Sequence, residues 1–388
     1  MPDMTSPATD NAMPADWATA LVSPEAFARE QALLAHVWTF LGLADDLARD
    51  GDWIRASIGT RSVFVQRFGA DLRGFENVCA HRFYPLRTAD RGNGPIVCDF
   101  HHWRYDKDGQ ALGIPVCEQV FGVVSRALDA RLAPIEVATC GALVFGRFPA
   151  AHATQSLEDF LGDAFPILAA LARWPATPRR WSLPINANWR LSLHISLDDY
   201  HIAAIHPHTL GRQIDDKYLE RADLTYARVG LHNAYLSDNT DDAFEKYVAG
   251  CRDGSLQGSH YTILQVMPNL NMVHSGTDGG FYSCVLHQFV PLAHDRTLLR
   301  AWIYPAPFDG RHGWLARRTR WLTDRFRRPL VARMVKRILR EDAAACERLQ
   351  QTAHQIDRAP LLGALEERVG WFEESYRRLL DEARRPVE

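Results

Sequence analysis

The apolar period of this 388-residue chain changes several times, and the changes mark out its elements. Residues 1–16 carry Pro2, Pro7 and Pro14 with no periodic apolar signal, which predicts a loosely tethered arm. Ser23-Pro24 then reads as a helix N-cap with proline in the first turn, and Phe27, Leu34 and Trp38 recur behind it at roughly helical spacing. From Gly51 the period shortens to two: residues 53–58, 62–68 and 72–78 predict short strands between glycine-bearing turns, resuming at 94–97 and 142–146. A helix is predicted over Leu157–Arg173, ended by Trp174-Pro175, and another over Asn188–Pro207, which has no internal glycine. Residues 261–267, 280–291 and 296–304 alternate and are rich in β-branched and aromatic side chains, which predicts a larger antiparallel sheet behind that helix. From Trp314 the pattern is helical, interrupted at Pro329. The fold class expected is α+β: a small antiparallel β domain, then a larger domain whose antiparallel sheet is covered by helices. The expected division is 1–37 as an arm and helix packing on the larger domain, 38–150 as the small β domain, and 151–388 as the larger one.

Composition narrows the function classes. With 47% hydrophobic and 23% charged residues the chain is ordinary globular protein, and a net charge of -3 argues against a nucleic-acid binder. The seven cysteines form no regular framework, as expected of thiols in a reducing compartment. The N-terminus has no apolar signal core, and no run of apolar residues is long enough to span a bilayer, so a soluble, cytoplasmic protein is expected.

The chemistry lies first in Cys79-Ala80-His81, sixteen residues, then Cys98-Asp99-Phe100-His101. Each short loop supplies one thiolate and one imidazole, so the four side chains can hold a Rieske [2Fe-2S] cluster with Cys79 and Cys98 on one iron and His81 and His101 on the other. Neutral imidazoles in place of charged thiolates raise the reduction potential, which suits electron delivery to an oxygen-activating site. A zinc knuckle is the bland alternative, but its ligands usually come as Cys-Cys and His-His pairs and not as two mixed loops. Arg82, Pro85, Trp103, Tyr105 and the turn at 106–109 supply shielding around the sulfurs.

A second set follows. Asp198 and His201 are three apart and would share a helical face, whereas His206 is five further on; Pro207 pushes His206 out of the helix and lets it swing back. Two imidazoles and one carboxylate make the facial triad that holds non-haem Fe(II) with open positions. The carboxylate expected is Asp342, which interrupts a stripe of Val331, Val335, Ile338, Ala345 and Leu349. On that phase Glu341 faces outward. The bland reading of Asp342 is a surface acid paired with Arg337 or Arg340, and Asp324 and Glu347 stand next in line as ligands.

These motifs together, a Rieske loop pair upstream of Asn188-Trp189-x(8)-Asp198-x-Tyr200-His201-x(4)-His206, resemble the large (alpha) subunit of Rieske non-haem iron oxygenases over about residues 35–350. The resemblance also rests on Trp38-Thr39-Phe40-Leu41-Gly42, Met267-Pro268-Asn269-Leu270 and Glu341-Asp342-x(4)-Glu347-x(2)-Gln350. It implies a terminal oxygenase that uses a [2Fe-2S] cluster, mononuclear Fe(II) and O2 to hydroxylate an aromatic or heteroaromatic compound. Oxidative O- or N-demethylation is the alternative it leaves open. Electrons would come from NAD(P)H through a reductase, with or without a ferredoxin, since no dinucleotide-binding glycine motif is present. It further implies a homotrimer in which the catalytic residue Asp198 bridges His201 to His101 of the partner subunit. Two departures stand out: His194-Ile195 stands where Glu-Asn is common, so an asparagine near the iron is missing or replaced by His194, and His102 replaces a glycine after the second cluster histidine. A simple electron-transfer protein is the contrasting class, and it would leave Asp198, His201 and His206 unexplained. The basic run Arg325, Arg327, Arg328, Arg333, Lys336, Arg337 and Arg340 reads as a solvated helical face before it reads as a ferredoxin dock.

Overall fold

The computed structural model describes Met13 and residues 17–150, 154–171, 177–210, 225–237, 240, 242–253, 261–276, 282–305 and 314–384; within these, the side chains of 171, 275–276, 282–283, 305 and 314–328 are left aside. Its helices are α1 (Thr19–Val22), α2 (Pro24–Leu34), α3 (Cys117–Phe121), α4 (Leu157–Leu161), α5 (Ala164–Leu171), α6 (Trp189–His194), α7 (Ile202–Ile205), α8 (Ala243–Asp253), α9 (Trp314–Thr352) and α10 (Glu367–Arg384). The chain divides into two compact units, one of residues 31–160 and 383–388, the other of residues 1–30 and 161–382. No described helix is long and apolar enough to cross a membrane.

The smaller unit holds β1 (Thr39–Leu43), β2 (Asp52–Ile58), β3 (Arg61–Phe68), β4 (Asp71–Glu76), β5 (Arg91–Asn93), β6 (Ile96–Val97), β7 (Arg104–Tyr105), β8 (Ala111–Gly113), β9 (Pro134–Cys140) and β10 (Leu143–Arg147). Seven of these form a sheet in the order β1-β10-β9-β4-β3-β2-β5, and β6-β7-β8 form a separate three-stranded sheet. The alternating segments at 53–58, 62–68 and 72–78 become β2, β3 and β4, because one face of each buries apolar side chains such as Ile54, Val63, Val65 and Phe75. The pairing of β1 with β10 joins residues a hundred apart, a non-local contact that local periodicity does not announce.

The larger unit holds β11 (Arg179–Ile185), β12 (Thr225–Val229), β13 (His232–Leu236), β14 (Thr262–Val266), β15 (Leu270–Gly276), β16 (Tyr282–Ala293) and β17 (Arg296–Pro305), antiparallel in the order β11-β17-β16-β15-β14-β13-β12. Helix α9 packs on α6, α7, β11 and β17, and α6 packs on β16 and β17. Three helix expectations are corrected. The segment 157–173 breaks into α4 and α5 at Gly162, whose φ of +50° is a left-handed conformation. Pro329 lies inside α9 and does not interrupt it; the C-terminal break falls between Thr352 and Glu367. The segment 188–207 is not one helix but α6 and α7 with a turn between them. There Ser196 Oγ donates to Leu193 O, and Asp198 Oδ1 accepts from the Tyr200 and His201 amides, so local side chains outbid the helix for its backbone groups. Asn188 caps α6, accepting from the Arg190 amide at 2.9 Å.

A buried ion cluster locks α6 to α10. Arg190 donates through Nε to Glu373 Oε1 at 2.9 Å and through Nη2 to Glu373 Oε2, while His194 Nε2 lies 2.7 Å from Oε1. Burial alone would raise the Glu373 carboxyl, but Arg190 and His194 outweigh it and hold it at about 2 against an ordinary 4.5. A depressed folded-state value means stability that is present above the unfolded value and lost as pH falls from about 4.5 toward 2. Glu373→Gln is therefore expected to destabilise the larger unit by about 3 kcal/mol at pH 7, because the buried Arg190 loses its close bidentate partner and is left facing the more distant Glu30 carboxylate at 3.8 Å. Denaturant melts at pH 7 and pH 3 check this: the gap between native and variant should narrow at the lower pH.

Candidate functional site

Two sites emerge, one in each unit. In the smaller unit, Cys79 follows β4 and Cys98 follows β6, and the two loops close in the same way. Phe83 N donates to Cys79 O at 3.0 Å and His102 N to Cys98 O at 2.8 Å, while Cys79 N and Cys98 N donate to Tyr84 O and Trp103 O. Each knuckle is turned by a left-handed residue four positions after its cysteine, Phe83 at φ 61° and His102 at φ 57°. That conformation explains why glycine suits position 102: a side chain there is strained. His102→Gly is expected to stabilise the loop by about 0.5 kcal/mol, the relief of strain being partly offset by added freedom in the unfolded chain. Denaturant midpoints with an unchanged visible spectrum check it.

The two sulfurs are buried and free, and the histidines face outward, half-buried. His81 and His101 rings lie 4.7 Å apart, His81 stacks flat on Trp103 at 4.6 Å, and Phe121 closes the edge. Tyr105 Oη sits 3.0 Å from Cys79 Sγ and accepts the Ala80 amide. Burial pushes the Cys98 thiol up, against backbone N–H groups of Phe100 and His101 that pull it down; burial likewise lowers the His81 imidazole. His81 Nδ1 is buried with no hydrogen-bond partner among the described residues. Two convergent thiols, two imidazoles and an orphaned ring nitrogen fit a cluster held by two sulfurs and two nitrogens.

In the larger unit, His201 and His206 stand at the two ends of the single-turn α7, and the ring centroids are 5.3 Å apart. His206 leaves the helix at φ -113°, ψ 44°, ahead of Pro207, which turns its ring back. Asp342 on α9 reaches both: its Oδ1 is 2.9 Å from His206 Nε2 and 3.6 Å from His201 Nε2. One ligand atom from each of His201, His206 and Asp342 lies within 4.8 Å of the others. Asp342 Oδ1 is buried without a well-formed hydrogen bond, so three electron-pair donors point at one spot, as a metal ion requires. Burial opposes ionisation of Asp342, but the two imidazoles outweigh it and hold the carboxyl low. Burial also pulls His201 down, yet Asp198 and Asp342 push it up to about 9.

Asp198 Oδ2 lies 3.3 Å from His201 Nδ1, at an angle too oblique for a hydrogen bond among the described atoms. Its other oxygen takes the two turn amides. Proximity to His201 thus comes from a capping turn and not from a shared helical face.

Sequence reasoning missed Glu341. Among the described side chains of α9, Ala332, Leu339, Ala343 and Cys346 are buried while Leu349 is exposed, so the helix is rotated from the expected stripe. Glu341 consequently faces inward: Oε2 accepts from His206 Nδ1 at 2.9 Å and from Thr209 Oγ1 at 2.8 Å, and Oε1 accepts from Arg337 Nε at 3.0 Å. Adjacent acids grip opposite sides of one imidazole, Glu341 orienting the ring and Asp342 standing beside its free nitrogen. Glu347 is occupied elsewhere, accepting from Asn186, and Gln350 accepts the Asn188 amide, which ties α9 to the start of α6. The side chain of Asp324, and those of Arg325, Arg327 and Arg328, lie outside the described residues. Lys336 and Arg340 lie over the Trp181 ring at the α9 surface. His194 is drawn to Glu373 and packs by Phe372 and Trp17, so it is engaged away from the triad. His208 is exposed.

The model of the ring hydroxylating alpha subunit (catalytic domain) family matches residues 171–382, more than half of the chain. The chain belongs to that family. A Rieske [2Fe-2S] domain model matches residues 37–127. Domains of these two kinds carry a [2Fe-2S] cluster and mononuclear iron. Among relatives, the anthranilate 1,2-dioxygenase large subunit of Acinetobacter baylyi is 27% identical over 63% of this chain and 52% of its own length. The glycine betaine monooxygenase oxygenase subunit of Chromohalobacter salexigens is 28% identical over 50% of this chain and 43% of its own. The chain thus spans about half the length of the curated relatives it matches. Solved structures share the fold along nearly the whole length. Naphthalene 1,2-dioxygenase from Rhodococcus sp. gives a TM-score of 0.72 at 19% identity, over 95% of this chain and 94% of that one. The quaternary ammonium Rieske monooxygenase CntA gives 0.71 at 16% identity, over 94% of each.

Proposed function

We propose that this chain is the terminal oxygenase component of a multicomponent system, hydroxylating an aromatic or heteroaromatic small molecule with one or both atoms of O2. When bound, the [2Fe-2S] cluster supplies single electrons and Fe(II) supplies O2 activation. Cys79, His81, Cys98 and His101 would hold the cluster, and His201, His206 and Asp342 the mononuclear iron. The observation that carries this reading is the convergence of those three donors, whose ligand atoms lie within 4.8 Å of one another. A protein that only passes electrons has no use for such a triad.

The remaining residues position and insulate. Glu341 holds the His206 ring from behind, and the Asp198 charge 3.3 Å from His201 Nδ1 favours the tautomer that leaves Nε2 free. In the loops of the outward cluster histidines Phe83 is 78% exposed and Phe100 47%, beside the exposed Arg82 and Asp99. Such a patch suits burial against another subunit, in support of a homotrimer in which Asp198 bridges His201 to His101 of the partner subunit. Electrons would arrive from an NAD(P)H-dependent reductase, with or without a ferredoxin. All seven cysteines are free and buried, in keeping with a cytoplasmic protein.

A second reading is oxidative demethylation, favoured by the glycine betaine monooxygenase relative and the CntA neighbour. One experiment separates the two: substrate-dependent oxygen uptake with a surrogate reductase across a compound panel, with products weighed. Hydroxylation adds one or two oxygen atoms and demethylation removes CH2. No uptake and no product with any compound would sink both.

A further inference from the structure

The sheet wall behind the triad is polar where a hydrocarbon pocket would be apolar. Asn271 on β15 stands directly opposite His287 on β16, so the two side chains share one face of the sheet. That face is the one covered by the metal-bearing turn, because Asn271 Nδ2 donates to Ser196 Oγ at 2.6 Å, and Ser196 is two residues before Asp198. Asn271 is 0% exposed and His287 7%. Yet Asn271 Oδ1, His287 Nδ1 and His287 Nε2 are all buried with no hydrogen-bond partner among the described residues. On its other side His287 is flanked by Ala301 of β17, which offers it no side-chain partner. Burial lowers the His287 imidazole to about 4, and of the charged groups only the Asp342 carboxylate acts on it, in the opposite sense; the ring is neutral, with one donor and one acceptor.

Buried polar groups in native proteins are paired almost without exception, and three orphans in one cross-strand pair beside a reaction centre need a reason. We infer that the Asn271–His287 wall recognises a substrate carrying a hydrogen-bonding heteroatom, a hydroxyl, amino or amide group on its carbon skeleton, in preference to a bare hydrocarbon. Such a group donates to Asn271 Oδ1 or to the free His287 nitrogen and accepts from the His287 N–H. The inference rests on the oxygenase reading for what happens to that substrate, but not for its binding. A neutral wall of one donor and two acceptors also disfavours an anchoring role for carboxylate, which would meet two acceptor lone pairs and the field of Asp342.

The test uses the full chain with both metal centres loaded and three bicyclic probes of nearly equal size: indene, with no hydrogen-bonding group; indole, with a donor; and oxindole, with a donor and an acceptor. Calorimetric affinities should rise in that order, oxindole binding at least about tenfold tighter than indene. In His287→Phe and Asn271→Leu the ladder should flatten to within about twofold, with indene gained as oxindole is lost. His287→Gln, which restores a donor and an acceptor, should recover part of the slope. A cooperative denaturant transition establishes that each variant folds: His287→Phe removes only unpaired buried polar atoms and should melt at or above native, whereas Asn271→Leu also gives up the bond to Ser196 Oγ and should melt below it. Equal affinity for indene and oxindole in the native protein, or a ladder that survives both variants, overturns the wall. A chain that shows the ladder but oxidises no compound keeps the wall and loses the oxygenase reading; one that oxidises compounds without a ladder does the reverse.

Discussion

Asp342→Ala is expected to leave the red-brown Rieske spectrum unchanged while the mononuclear iron is lost and turnover falls to background. The ligands proposed for the two centres are different side chains, so on that reading the cluster has no reason to respond. At the triad the loss is doubly costly. Asp342 Oδ1 is the atom that faces both imidazoles, at 2.9 and 3.6 Å, and its neighbours on the helix are engaged elsewhere: Glu341 with His206 Nδ1, Thr209 and Arg337, and Glu347 with Asn186. Two neutral imidazoles hold a divalent ion weakly and leave its charge uncompensated. Removal of an outer hydrogen-bond partner already costs about 10–100-fold in metal affinity, so a lost ligand should cost more than about 100-fold. Iron and sulfide analysis beside the visible spectrum decides it. Iron retained in excess of the cluster, with turnover intact, would mean that the third ligand lies elsewhere.

Asp198→Asn should produce the contrasting phenotype, with both centres assembled and electron delivery between them slowed by at least about 100-fold. The asparagine oxygen can still accept the Tyr200 and His201 amides, so the turn ahead of α7 persists. What it removes is the negative charge 3.3 Å from His201 Nδ1, and with it the group proposed to meet His101 of the partner subunit. The measurement is a single turnover: the cluster is reduced chemically, substrate and oxygen are added, and reoxidation is followed. Reoxidation at the native rate removes Asp198 from the route. Loss of iron would instead make Asp198 a ligand and displace Asp342.

The sequence by itself was enough to nominate the four proposed cluster side chains, the pair His201 and His206, and Asp342, because each lies in a short motif whose chemistry depends on residue type and local spacing. The α+β class and the strands β2, β3, β4, β14, β16 and β17 were equally legible, since alternation reports one buried face. Where local rules compete, they misled. The stretch 188–207 has helical composition, but Ser196 and Asp198 bond their own backbone and split it, and a polar side chain two residues from a free amide is invisible to periodicity. Only the tertiary structure decided the rotation of α9, since adjacent residues on a helix differ by about 100° and a small error in the stripe exchanges inward for outward. That rotation turned Glu341 from an expected surface acid into the partner of His206. Likewise the fate of His194 depends on Glu373, 179 residues away, and the meeting of Asn271 with His287 depends on the β15–β16 register. Contacts of that separation carry no local signal, because they are set by which faces pack together once the chain has closed.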